Sequence, residues 1–337
     1  MRSNAVFSIL LTLIILWLSI FTSASAATNT NDAITIIAHR GASGFLPEHT
    51  KEGVVLSFMQ GAHFIEQDLV ATKDKQLVVL HDIYLENVTD VETVFPERSR
   101  EDGRYYAIDF TLEELRSLRV HERENAEKQL VFPERYQGNA RFSIATLSEH
   151  IELIQQLNQA FGKQVGWYPE LKSPQWHADQ GIDITALLVE QLEHHGLNHE
   201  GANLYVQSFD PAALKRLRFE FKSKVKLIQL IAQNEWSTAN VDYDKMRTPE
   251  GLSLVSSYAN GIGPWLPHVV DLSTSEVTQL VRDAKAAGLK VHGYTFRSDV
   301  IEQTTAPHEA FEIIKQSGMH GLFTDQVLPF MFDQASH

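Results

Sequence analysis

Three short stretches of the sequence bring together residues able to hold a cation, bind an anion and move a proton. The first is Ile36-Ile37-Ala38-His39-Arg40-Gly41, where a histidine and an arginine follow directly on an apolar run. Arginine offers a permanently charged planar fork suited to phosphate oxygens, and histidine exchanges a proton near neutral pH. Gly41 lets the backbone turn sharply and approach a ligand. The second stretch is Glu66-Gln67-Asp68. Side chains two apart on a strand share a face, so both carboxylates point the same way and repel unless protonated or sharing a cation. The third, Tyr168-Pro169-Glu170-Leu171-Lys172, repeats that spacing with a carboxylate and an ammonium. Each stretch alone is also what a solvated strand end looks like. Three strand ends supplying complementary groups make coincidence a poor account.

The elements that must position these groups recur along the chain. Nine short β-rich runs start near Ile34, Phe64, Leu77, Gly166, Leu204, Val225, Gly261, Val291 and Gly321. Between most of them lie amphipathic segments: Glu48 to Gln60, Leu147 to Phe161, Ile184 to His195, Pro211 to Phe221, Thr274 to Ala287 and His308 to Gln316. This alternation predicts an α/β fold with a mostly parallel sheet; in an eight-stranded barrel of that kind the catalytic rim lies at the strand C-termini. Nine runs exceed eight strands, and the link from Leu69 to Gln76 is too short for a parallel crossover. A hairpin turning at Lys73-Asp74 is expected there, with His81 opposite Glu66 on one face. From about Tyr84 to Arg141 the rhythm breaks into a Glu-, Arg- and Tyr-rich insertion, in which Phe-Pro-Glu-Arg occurs at Phe95 to Arg98 and again at Phe132 to Arg135. Leaving beside His81, it is expected either to cap the barrel mouth and select short substrates or to pack on the flank.

Composition narrows the function further. Arg2, the apolar run from Ala5 to Phe21 and the small residues through Ala26 form the pattern of an export signal, residues 1–26, with a mature domain over 27–337. No other run is long enough to span a bilayer, so no stable membrane insertion is expected after cleavage. The chain has no cysteine, which excludes a thiol nucleophile, a thiolate zinc site, disulfides and a lipid-anchoring cysteine. A net charge of −14 disfavours nucleic acid and anionic membranes as partners. His194, His195 and His199 read as a solvated helix end, and Ser43 and Ser208 lack a nucleophile elbow. Gly261-Ile262-Gly263 lacks the rest of a dinucleotide fingerprint.

Taken together, His39-Arg40-Gly41-Ala42-Ser43-Gly44, Pro47-Glu48-His49-Thr50, Glu66-x-Asp68, Val79-Leu80-His81-Asp82 and Glu170-x-Lys172 resemble the glycerophosphodiester phosphodiesterases, especially their bacterial periplasmic branch. Downstream, Gln207-Ser208-Phe209-Asp210, Gly293-Tyr294-Thr295-Phe296 and Gly321-Leu322-Phe323-Thr324-Asp325 extend the resemblance over nearly the whole mature chain. The resemblance implies a TIM-type (β/α)8 barrel whose rim binds one divalent cation through Glu66, Asp68 and Glu170, with His39 and His81 as the acid/base pair and Arg40 and Lys172 on the phosphate. It implies calcium; magnesium stays open, because all-oxygen ligation does not separate the two. Tyr294 stands where many relatives carry Trp and would wall the glycerol pocket. The implied reaction cleaves small glycerophosphodiesters, such as glycerophosphocholine and glycerophosphoethanolamine, to an alcohol and sn-glycerol 3-phosphate in the periplasm. The nucleophile is either the substrate's own glycerol hydroxyl, through a cyclic intermediate, or water. The rival readings are a phospholipase D-type head-group hydrolase and a barrel used as a surface binding or adhesion protein. Assembly as a homodimer is compatible with the sequence.

Overall fold

The computed structural model describes residues 34–301 and 305–328; the expected export signal lies outside them. Eight parallel strands close a barrel: β1 (Thr35–Ala38), β2 (Phe64–Ala71), β4 (Gly166–Leu171), β5 (Tyr205–Ser208), β6 (Lys226–Ile231), β7 (Gly261–Pro264), β10 (Lys290–Phe296) and β11 (Gly321–Thr324). β1 pairs with both β2 and β11, which completes the ring. A short antiparallel strand, β3 (Leu77–Val79), joins β2 beyond the point where β1 stops. The two-residue strands β8 (Val270–Asp271) and β9 (Glu276–Val277) form a separate hairpin.

Alternation along the strands divides the core in two. Ile36, Ile65, Leu69, Trp167, Leu171, Val206, Leu227, Ile262, Val291 and Leu322 face outward, under the helices. Ile37, Phe64, Tyr168, Tyr205, Ile228 and Phe323 face inward and plug the barrel. Tyr168 is the centre of this plug: its ring stacks on Tyr205 at 5.1 Å and meets Phe323 edge-on at 4.9 Å. Its hydroxyl is 2.7 Å from His292 Nδ1, which satisfies both groups away from water. Helix Leu147–Phe161 shows how sequence places the outer layer. Thr146 and Glu149 form a reciprocal capping box at its start, and Gly162 ends it in the left-handed conformation at φ 64°.

Two expectations need correction. The β2–β3 turn has three residues rather than two: Thr72 N–H donates to Gln76 O at 3.0 Å, and Lys75 sits at φ 60°. The ladder therefore pairs Leu69 with Val79, and its continuation sets Gln67, not Glu66, against His81. The helix expected from Thr274 runs only over Leu280–Ala286. Ahead of it, Asp271 Oδ1 accepts bonds from the Ser273 backbone and hydroxyl, local bonds that favour a turn over a helix.

The segment after β3 carries little regular structure: helices Val91–Val94 and Leu112–Ser117, one 3-10 turn and isolated bridges. Its apolar residues Leu85, Val88, Val91, Tyr105, Phe110, Leu115, Leu118 and Val120 form a second core with Val70, Val78 and Leu80 of the hairpin region. Burying residues of this size stabilises by about 1.5–3 kcal/mol each, enough to hold a loop-rich segment firmly on the barrel.

Candidate active site

A cavity of about 380 Å³ opens above the aromatic plug at the strand C-termini. His39, Arg40, Glu66, Asp68, His81, Glu170, Lys172 and Tyr294 all line it, so every residue singled out from the sequence reaches one place. The strand geometry explains much of this. Glu66 and Asp68 follow Phe64 by two and four positions, and Glu170 follows Tyr168 by two, so each carries on an inward face begun by a plug residue. The β2–β4 register then sets Asp68 beside Glu170.

Oxygens of Glu66, Asp68 and Glu170 lie within 4.8 Å of one another, all three residues being buried. Three such charges cannot coexist there without a cation or protons. Burial and the charges of Asp68 and Glu170 push the Glu66 carboxyl well up. Burial and Asp68 push Glu170 up to about 8, against the pull of Lys172. Asp68 goes the other way: despite its burial, Lys172 and a 2.8 Å bond from His49 Nε2 hold it well below the usual range. Its Oδ1 is buried without a hydrogen bond. A protonated pair beside one ionised carboxylate with a free oxygen fits a site for a hard, oxygen-preferring cation. Protons and cation then compete, so cation affinity should weaken as pH falls below about 8. Calorimetry on chelated protein should show proton release on cation binding, and uptake without proton release would refute the competition.

The basic groups surround this cluster. Lys172 Nζ lies 2.8 Å from Glu170 Oε1 and 3.8 Å from Asp68 Oδ1. Arg40 Nη1 donates to Glu48 Oε2 at 2.9 Å, while Nε stands 3.6 Å from Asp68. Arg40 has a left-handed backbone at φ 57°, a strain of about 1–3 kcal/mol for a residue with a Cβ. Its N–H is thereby turned onto Glu66 Oε2 at 3.0 Å. Gly41, expected to approach a ligand, instead approaches protein: at φ 79° an added Cβ would lie 3.1 Å from the Gly53 carbonyl carbon.

Each histidine is backed by a carboxylate. His39 Nδ1 is 2.6 Å from Asp325 Oδ1, and His81 Nδ1 is 2.5 Å from Asp82 Oδ1. Both carboxylates are held far below their usual range despite burial, Asp325 chiefly by Arg297 and His39 and Asp82 chiefly by His81 and Arg123. As ionised acceptors they require the proton on Nδ1, leaving each Nε2 with its lone pair. Burial and the nearby Arg40 lower His39 to about 4; burial, Arg40 and Lys172 lower His81 to about 3. Tyr294 contributes its ring to the cavity wall, because its hydroxyl is occupied by Ile231 O at 3.0 Å.

A family model for the glycerophosphoryl diester phosphodiesterases matches residues 39–328. The chain belongs to this family. It is 39% identical over 315 residues to a glycerophosphodiester phosphodiesterase of Haemophilus influenzae, with 86% of each chain covered. To a glycerophosphodiester phosphodiesterase of Treponema pallidum it is 34% identical over 315 residues, covering 86% of this chain and 88% of that one. Two solved structures share the fold. An Oleispira antarctica phosphodiesterase in complex with the product sn-glycerol-3-phosphate superposes with a TM-score of 0.61 at 23% identity, covering 90% of this chain and 96% of that one. A glycerophosphodiester phosphodiesterase from Thermotoga maritima gives 0.56 at 18%, covering 89% and 97%. The family resemblance, the enzyme class and the barrel expected from the sequence are thus borne out.

Several site residues escaped sequence reasoning. Glu48, His49, Gln207 and Asp325 stood inside motifs that carried the resemblance, without a role. Gln207 Nε2 donates to Glu66 Oε1 at 2.7 Å, and its position at a strand end was the available signal. Arg123, Arg135 and Arg297 gave no signal, since nothing local marks which surface-type arginine turns inward. The groups set aside are engaged elsewhere, although Ser208 reaches the cavity wall. His195 bonds Ser148, Ser43 donates to His39 O and Ser208 to Leu171 O, while Gly261 to Gly263 lie in β7.

Proposed function

We propose that this chain hydrolyses small glycerophosphodiesters to an alcohol and sn-glycerol 3-phosphate. The observation that carries the reading is the pair of carboxylate-backed histidines sharing one cavity with Arg40, Lys172 and the carboxylate trio. Glu66, Asp68 and Glu170 would hold a divalent cation, calcium by the family resemblance, with magnesium open because an all-oxygen donor set does not separate the two. When bound, that cation supplies positive charge for the phosphoryl oxygens. Arg40 and Lys172 hold the phosphate. One histidine Nε2 accepts the proton of the attacking oxygen, that of water or of the substrate's own glycerol hydroxyl, whose cyclic phosphate water then opens; the other, once protonated, donates to the leaving alkoxide as the phosphorus–oxygen bond to the alcohol breaks. An anionic phosphate in the cavity opposes the charges that depress the two histidines and raises their proton affinity. The Tyr294 ring, edge-on to Phe209 at 5.9 Å, walls the glycerol end.

The reading extends to a periplasmic enzyme, supported by the signal pattern over residues 1–26. Among the described residues no helix is long and apolar enough to cross a membrane. Incubation with glycerophosphocholine should release sn-glycerol 3-phosphate, stop on chelation and resume on adding back calcium. Absence of release from every glycerophosphodiester tried in calcium or magnesium would overturn the assignment.

A further inference from the structure

No residue of the segment 84–141 lines the cavity, yet two of its arginines reach the carboxylates behind the two histidines. Asp82 offers Oδ1 to His81, and its Oδ2 accepts from Arg123 Nη1 at 2.6 Å and Asn87 Nδ2 at 3.1 Å. Asp325 offers Oδ1 to His39, and its Oδ2 accepts from Arg135 Nη2 at 2.8 Å and Arg297 Nε at 2.9 Å. The arrangement is the same twice: one oxygen on the histidine, the other on an arginine of the insertion and a second donor. We infer that Arg123 and Arg135 are positioning residues, each fixing the carboxylate that orients one site histidine, so that the insertion completes the active site rather than screening its mouth.

Both guanidinium groups are anchored on their other edges, as positioning requires. Arg123 forks onto Glu48, with Nε to Oε2 at 2.9 Å and Nη2 to Oε1 at 2.6 Å, and Glu48 in turn holds Arg40. Arg135 grips Asp299 through Nε at 2.7 Å and Nη2 at 3.2 Å and donates Nη1 to Ser43 O at 3.2 Å. The ring of Phe132, from the same Phe-Pro-Glu-Arg unit, lies 3.6 Å from the Arg135 guanidinium and covers it. A planar fork satisfied on two edges keeps its partner from rotating, which a lysine cannot do.

The need for such clamps follows from the fold. β3 ends at Val79, and the last backbone bond to β2 runs from Leu80 N–H to Asp68 O at 2.9 Å, so the ladder places the chain at His81 and Asp82 without fixing how their side chains turn. His39 stands just beyond β1, and its partner comes from the end of β11. A carboxylate free to turn would release the Nδ1 proton and with it the tautomer that leaves Nε2 able to accept. Among the described residues, Asp82 Oδ2 keeps only Asn87 without Arg123, whereas Asp325 Oδ2 keeps Arg297 without Arg135. The Arg123 clamp therefore carries the larger effect.

The inference rests on the hydrolase reading for its kinetic arm but not for its spectroscopic one. In the full chain, Arg123→Ala should lower kcat for glycerophosphocholine about 10- to 100-fold, as loss of an orienting partner does, and Arg135→Ala less. In metal-free protein, Arg123→Ala should shift the imidazole nitrogen resonances of His81 and leave those of His39; Arg135→Ala should do the reverse. Arg123→Lys should recover only part of the loss. If an alanine variant does not fold, the lysine variant at that position carries both measurements, with the same histidine-specific shift expected. Folded variants with parental kcat and unmoved resonances would overturn the inference. So would equal shifts of both histidines in each variant, which would mark general loosening. A parent enzyme with no turnover would refute the hydrolase reading, and the resonances would still decide this one.

Discussion

Replacing His81 by Ala is expected to lower kcat by about 10²- to 10⁴-fold, the contribution of a positioned proton carrier, while cation affinity stays close to the parent's. His81 lines the cavity, its Nδ1 is committed to Asp82, and it is not one of the three carboxylates that converge within 4.8 Å. The loss should therefore appear in the chemical step rather than in loading. Asp82→Asn should reproduce much of it, because an amide cannot replace an ionised acceptor and favours the wrong tautomer. Steady-state kinetics at saturating calcium, beside a direct calcium titration, separate the two effects. Near-parental turnover in His81→Ala would remove His81 from the proposed proton pair.

The second large effect concerns the carboxylate trio. Glu170→Gln should cost the metal-free protein little stability near neutral pH and yet abolish the rise in Tm on adding calcium. Glu170 is pushed up to about 8, so below that pH it already carries a proton, and a neutral amide resembles it. The sign follows: the group is uncharged below about 8, and only cation binding or higher pH ionises it. In the parent, a cation that binds the native state alone adds about 4 kcal/mol of stability at a thousandfold excess over Kd. The variant lacks one charged ligand and should lose most of that gain. Melting curves with chelator and with excess calcium test this directly. An undiminished calcium shift in Glu170→Gln would show that the trio does not hold the cation.

The two predictions differ in how much of their basis is legible in the chain. That Glu66 and Asp68 share a face needs only the period of two, and the same holds for Tyr168, Glu170 and Lys172. The alternation of β-rich runs and amphipathic helices carries the parallel α/β fold, the family resemblance carries the barrel, and a barrel puts strand ends on one rim. The hairpin after β2 follows from the short link alone. Its register does not, because a third turn residue in the left-handed conformation at Lys75 shifts every pair by one. His81 reaches the cavity all the same, since β3 has ended before it.

The sequence by itself determined the residue types, their spacing along each strand and the succession of elements, because these depend on local backbone geometry. Only the tertiary structure decided which strands stand side by side and at what height. The β2–β4 register that sets Asp68 beside Glu170 is one such decision. The closure that brings Asp325, 286 residues along the chain, to His39 is another. The insertion shows the limit most plainly. Its elements are short and its periodicity weak, so nothing local distinguishes Arg123 and Arg135 from solvated arginines. They are recruited by carboxylates on distant segments, Asp325 buried and Asp82 half-buried, whose charges must be paired as water is excluded. Pairing of that kind is a property of the assembled interior, and no short window of sequence contains it.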